Sequence, residues 1–378
     1  MMKRFAAVAG AAVLLGVLAV LWAWHLWTGP GPAGSPAGIS PEVRGTTLIR
    51  ISSGMTLTAA TDTLAARGLL KHPKVLLAGA RMTGKGRSLR AGLYKLTYGA
   101  SPRDLLQALT TGAAIQIKVT LPEGLAAVEM AGILATALGF AADDFLAAAD
   151  SLVRDAAMED ALSGGDSRAV AVHDSLLAAE SIRHPRTFRW CEGHLAPDTF
   201  LFAEGTSAPA AAGFLVKTQW ARLDSVLSEA NKAEGPDLTR QDLLTLASIV
   251  EAEARWEDER PLIAAVYVNR LRKGRRLEAD PTVAFILLKK GKRLYYRDLE
   301  VDSPFNTYRN KGLPPGPIGN PGRAALEAAA HPDPTCQAMF FVSDGQGGHV
   351  FSNTAAEHKA AVREFRRIRA GNRGNRKN

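Results

Sequence analysis

Between Phe5 and Trp27 the chain reads FAAVAGAAVLLGVLAVLWAWHLW, 23 residues of which only His25 is strongly polar. At about 1.5 Å per residue a helix of this length reaches roughly 34 Å, enough for a bilayer core of about 30 Å. The pattern predicts a transmembrane helix over 5–27. Lys3 and Arg4 precede it, and Trp22, Trp24 and Trp27 gather at its far end as an interfacial belt would. That asymmetry places residues 1–4 in the cytoplasm and the remainder outside, on a cell (inner) membrane with one crossing. A cleaved signal peptide, the competing reading, has a shorter apolar run of about 7 to 15 residues and a small-residue cleavage site. Residues 28–45 are rich in Pro, Gly and Ser without periodicity and read as a linker.

Beyond the linker, strand and helix patterns alternate. Leu48–Ile51 is a strand candidate, and Leu57–Leu70 is amphipathic, with Leu57, Ala60, Leu64 and Ala65 on one side. Leu93–Thr97 alternates as a strand, and Ser101 opens a helix through Leu105, Leu106 and Leu109 that Gly112 ends. A small α+β module over 46–113 follows from this. A strand at Ile115–Leu121 then leads into Pro122-Glu123-Gly124, and 127–187 reads as alanine-rich helices broken at Ser163-Gly164-Gly165. Arg189–Phe202 suits an ordered loop and strand, and a long helix is expected over 209–232. Thr239, with Asp242 three positions on, predicts a capped helix running to Trp256, and a second helix passes through Val266–Leu271. Met339–Ser343 and His349–Ser352 read as a hairpin, and Thr354–Arg369 as a helix. The expected fold class is therefore α+β: the helix, the module, and a larger α+β domain over 114–370, with a basic tail over 371–378.

The formal charge is +9, but it is unevenly placed. Lys3 and Arg4 carry two of these charges and the stretch 361–378 carries a net six, which leaves one for everything between. A nearly neutral body argues against a nucleic-acid partner. Cys191 and Cys336 allow at most one bridge, and the eight histidines show neither HxxxH nor HExxH spacing. No Gly-rich phosphate loop precedes a helix, so neither a metal nor a cofactor is expected.

The candidate chemistry begins in the helix after Thr239. At 100° per residue Glu251 falls on the side of Leu244, Ala247 and Ala254, with Glu253 opposite. A carboxylate on the buried side of a helix is costly unless it is paired, protonated or facing a cleft. Glu251 is therefore either a general acid or half of an ion pair with Arg255 or Arg270. Further on, Leu313–Gly322 packs four prolines and three glycines into ten residues, a stiff loop suited to binding or to an interdomain turn.

The strings ASIVEAEA, VNRL, LEADPTV, FNTY, GLPPGPIGNPG and HVFSNTAAEH, with LRAGLYKL, TLPEG and EGHLAPDTF before them, resemble the YceG-like family of bacterial endolytic murein transglycosylases. The resemblance runs from about Leu48 to Arg366. It implies that the module over 46–113 is LysM-like and that the domain over 114–370 is catalytic. It further implies cleavage of the MurNAc–GlcNAc β-1,4 bond within peptidoglycan strands, leaving a 1,6-anhydro-MurNAc end. The family's glutamate in ASIVE falls on Glu251. One residue would protonate the glycosidic oxygen and then take the proton of the C6 hydroxyl that attacks C1, so no second carboxylate is needed. Cell-wall synthases are the implied protein partners.

Sugar recognition asks for hydroxyl, amide and aromatic groups, which Asn269, Asp280, Thr282, Asn306, Thr307 and Tyr308 supply. Asp280, before Pro281, would alternatively cap a helix, and Asn306 would alternatively brace the Pro-rich loop. Glu192 is the rival carboxylate, with structural support of its loop as the alternative, and His349 either lines the cleft or is structural. Two other functions fit the same residues: a hydrolytic muramidase, or a non-catalytic peptidoglycan-binding scaffold.

Overall fold

A computed structural model of the chain describes residues 2–32, 45–52, 54–112, 115–163, 189–230 and 238–375. Most of the expected linker, the second half of the alanine-rich stretch and the last three residues of the tail lie outside the described residues. The chain divides into two units, the first made of 1–118 with 201–206 and the second of 119–200 with 207–378. The architecture is mixed α+β.

In the first unit, α1 (Met2–Thr28) is followed by β1 (Thr46–Ile51), α2 (Leu57–Ala66), α3 (Pro73–Met82), β2 (Gly92–Thr97) and α4 (Pro102–Thr111). β1 and β2 run antiparallel, with Thr46 opposite Thr97 and Ile51 opposite Gly92. Ile49, Ile51, Leu64, Leu76, Tyr94, Leu105 and Leu109 close a core beneath them. Thr56 and Ser101 cap α2 and α4 by accepting the N–H groups of Ala59 and Asp104.

The single helix expected over Leu57–Leu70 is shorter. It stops at Ala66 because Gly68 takes φ +70°, and a second helix, α3, then packs back onto the core. Trp27 packs within this unit. Its ring lies against Gly79, where any side chain would collide with it. Trp22 and Trp24 are exposed. No helix among the described residues is long and apolar enough to cross a membrane.

The second unit holds α5 (Ala127–Leu138), α6 (Ala142–Leu162), α7 (Ala208–Ala230), α8 (Arg240–Glu253), α9 (Arg260–Arg272), α10 (Asp280–Ile286), α11 (Arg323–Ala330) and α12 (Ala355–Asn375). β3 (Gln116–Leu121) pairs with β4 (Asp198–Ala203), and β5 (Phe340–Ser343) pairs antiparallel with β6 (His349–Ser352). The hairpin turn is held by Asp344, whose Oδ1 accepts three successive N–H groups from Gln346 to Gly348. α12 continues beyond Arg369 to Asn375, so part of the expected tail is helical.

α8 is the centre of this unit. Thr239 and Asp242 form the expected capping box, and α7, α9, α10 and α11 pack around the helix. Every residue from Leu243 to Val250 is buried, Thr245 and Ser248 included. A helix covered on all sides has no single apolar face. The angular argument that set Glu251 inside and Glu253 outside therefore fails for Glu253.

Candidate active site

Glu251 lies in the last turn of α8, where unpaired carbonyls make the surroundings unfavourable for negative charge. Its side chain is 7% exposed. The Arg260 guanidinium, from the start of α9, donates to Oε1 at 3.1 Å, and the Gly322 N–H donates to Oε2 at 3.0 Å. Arg260 is thus the ion-pair partner, in place of Arg255 or Arg270; Arg270 pairs with Glu278 and lies over the Phe340 ring. With two donors on one carboxyl, the apolar side expected from the sequence is here a polar cradle.

The same guanidinium reaches the Glu123 carboxylate at 3.8 Å and keeps Nε and Nη1 buried, with no hydrogen-bond partner among the described residues. Burial, and then the charge of Glu251, push the Glu123 carboxyl above its ordinary value. Gly124 follows at φ +70°, and a Cβ there would stand 3.3 Å from Glu251 Cγ. A glycine at this point leaves the side of Glu251 uncovered.

The Pro-rich loop is buried over nearly its whole length, and a buried loop must find partners for its backbone. Ser248 Oγ on α8 accepts the Ile318 N–H, and Gln219 Nε2 donates to the Pro321 carbonyl. Asn320 is the hub. Its side chain donates to the Leu125 carbonyl and to Glu192 Oε1 and accepts the Leu195 N–H, while its backbone accepts the Gly124 N–H. Glu192, fully buried, also receives the Ala127 N–H at the start of α5, and burial pushes its carboxyl up to about 8. Glu192 is therefore a brace behind Gly124, and the loop is the scaffold that sets the Gly322 N–H on Glu251.

In front of Gly124 opens a cavity of about 900 Å³. Ser248, Ala252, Glu253, Asp280 and Ile318 line one side, and the segment from Leu288 to Tyr296 lines another. Glu253, expected to face away, faces this space. Its Oε1 accepts the Tyr267 hydroxyl at 2.9 Å, and withdrawal from water pushes it up to about 7, with Asp280 adding in the same direction.

The other predicted residues separate into two groups. Asp280 lines the cavity at the first turn of α10 and accepts the Tyr308 hydroxyl at 2.6 Å. Burial and then that bond hold the Tyr308 phenol far above its ordinary range. Thr282 and Thr307 are buried and bonded to one another at 3.0 Å, and Thr307 also accepts the Ala279 N–H. Asn306 is spent on the Leu299 and Val301 carbonyls and the Tyr308 N–H, so it braces its loop. These four stitch FNTY to LEADPT and hold Asp280 in place, and Thr282, Asn306 and Thr307 have no free face for a ligand. Asn269 is elsewhere, donating to the Cys336 and Ala338 carbonyls. His349 is structural, bound to Glu259 through both its N–H and its ring. Both cysteines are free thiols. Among the described residues no three His, Cys, Asp or Glu side chains gather as a metal site would require.

Sequence reasoning missed Arg260, Glu253 and the segment 288–297. Glu123 and Gly124 were in view as TLPEG but carried no assigned role.

An endolytic murein transglycosylase of Bacillus subtilis (strain 168) is 31% identical over 329 residues, which cover 86% of this chain and 87% of that protein. A protein of the same name from Streptococcus pneumoniae (strain D39) is 28% identical over 334 residues, 84% of this chain and 58% of that longer one. The crystal structure of a YceG-like protein from Listeria monocytogenes superposes with a TM-score of 0.51 at 26% identity, covering 84% of this chain and 99% of that one. With the family pattern matched from residue 49 to residue 364, this chain belongs to the YceG-like family.

Proposed function

We propose that this chain is an endolytic lytic transglycosylase that cuts the MurNAc–GlcNAc β-1,4 bond within murein strands and closes the muramoyl sugar to a 1,6-anhydro end. The observation that carries the reading is one carboxyl, Glu251, set directly behind Gly124, a glycine that lines a cavity of about 900 Å³, in a family with relatives named endolytic murein transglycosylases.

Glu251 donates a proton to the glycosidic oxygen and, as a carboxylate, takes the C6 hydroxyl proton while that oxygen attacks C1. Its two donors, Arg260 and the Gly322 N–H, stabilise the carboxylate produced by the first step. Glu123, raised by burial and by Glu251, shares Arg260 with it. The raised Glu123 carboxyl holds its proton more readily than an ordinary glutamate and keeps it close to the reacting groups. Asp280, fixed by Tyr308, offers an acceptor to sugar hydroxyls.

In this reading the apolar run over 5–27 anchors the chain in the cytoplasmic membrane with residues 1–4 inside, which its length and Lys3 and Arg4 before it support. The module over 46–113, with its two strands and three helices, is LysM-like and holds glycan, and cell-wall synthases are the protein partners. Mass spectrometry of sugar ends released from purified sacculi tests the chemistry. The expected product is lighter by one water than a reducing muramoyl end. Predominantly hydrated ends would make the enzyme a hydrolytic muramidase instead.

A further inference from the structure

The cavity has a charge that neutral sugar does not call for. From Lys289 to Arg297 the chain carries five basic residues and no acidic one, in a body that is otherwise nearly neutral. Lys289 is taken up by Asp298, and Lys290 by Glu129 and the Gly124 carbonyl. Lys292 and Arg293 line the cavity, and Arg255 faces it from beyond the end of α8. No carboxylate pairs with any of these three among the described residues, and all three are exposed. Arg293 lies 5.2 Å from the centre of the Tyr295 ring and Arg297 lies 5.7 Å from the same ring. Two guanidiniums drawn to one aromatic ring repel each other, and an anion between them relieves that repulsion. Low-dielectric cavity walls strengthen the field of such a rim.

Murein glycan has hydroxyls and amides, and in peptide-bearing strands the lactyl carboxyl is consumed in an amide bond. The negative charge of such strands lies on the carboxylates of their peptide stems. We propose that Arg255, Lys292 and Arg293 form a subsite for these stem carboxylates, so that the preferred substrate is peptide-bearing glycan and not stripped strands. Arg293, with its planar fork held on Tyr295, is suited to a carboxylate, and Lys292 supplies a second charge at a flexible reach. The inference rests on murein being the substrate, as proposed above, but not on which bond is cut.

The test is binding by the full chain in detergent. The first probe is a GlcNAc–MurNAc disaccharide bearing a tetrapeptide, which has no internal bond for the enzyme to cut, and the second is the same disaccharide stripped of its peptide. The peptide-bearing probe is expected to bind wild-type protein about tenfold or more tightly, with the difference shrinking in 0.5 M salt, roughly as exposed charge pairs are screened. A Lys292→Ala, Arg293→Ala double variant is expected to lose that difference while holding the stripped probe as wild type does. Equal binding of the two probes by wild type, or equal weakening of both by the double variant, overturns the subsite. A third arm floats the protein with anionic phospholipid vesicles in place of the probes. Loss of flotation in the double variant, with the probe preference intact, assigns the rim to lipid phosphate and also overturns it. Because binding is read without turnover, failure to cut sacculi counts against the proposed reaction alone.

Discussion

At the scale of the residue, burial separates the carboxyls of this protein by role. Glu251 is paired and cradled, Glu253 faces the cavity with its carboxyl pushed up to about 7, and Glu192 is sealed behind Gly124 and pushed up to about 8. In the unfolded chain a glutamate titrates near 4.3, so between that value and its folded value the native state holds a proton that the unfolded state has released. The unfolded state then binds fewer protons, and stability falls as pH rises. For Glu192 the loss runs from about pH 5 to about pH 8 and is on the order of 3 kcal/mol by pH 7. Glu253 adds to it with the same sign. Glu192→Gln keeps an amide oxygen for the Ala127 N–H and removes the titration, so its thermal midpoint is expected to vary less between pH 5 and 8 than that of the wild type. Calorimetric melts across that range check the slope.

At the scale of the element, the Pro-rich loop and α8 depend on each other. Asn320→Ala would leave the buried Leu195 N–H without its acceptor and remove one of two partners each from the Leu125 carbonyl, which keeps the Asn320 N–H, and from Glu192, which keeps the Ala127 N–H. An orphaned buried group costs about 1–3 kcal/mol and each further lost bond about 1 kcal/mol, so a loss of about 2–4 kcal/mol is expected in urea unfolding, with cleavage weakened as Gly322 drifts from Glu251. None of this dependence was legible in the sequence. The capping box at Thr239, the hairpin at Asp344 and the helix at Ser101 were, because each is a local pattern whose hydrogen bonds lie within a few residues. The burial of Glu251 was also legible, from the side of the helix it shares with Leu244 and Ala247. Its partner was not, since nine residues and a helix start separate it from Arg260, and spacing points first to Arg255. Thr282, Asn306 and Thr307 are the types that bind sugars, yet such groups equally satisfy buried backbone, and here they do. Only Asp280 of that set reaches the cavity.

At the scale of the whole molecule, charge is sorted along the chain: positive at both ends, nearly neutral between, and positive again at the rim of one cavity. Such an arrangement suits an enzyme that works on an anionic polymer whose backbone, the part that is cut, is itself uncharged. The proposed cut depends on a proton passing through Glu251. Replacing it by Gln keeps the size and the acceptor oxygen for Gly322 while removing the exchangeable carboxyl proton. The Glu251→Gln chain is expected to bind sacculi as the wild type does and to release glycan fragments about 10²–10⁴-fold more slowly. Release at the wild-type rate would contradict the account and move the proton transfer to a carboxyl that lines the cavity, with Glu253 the first to examine.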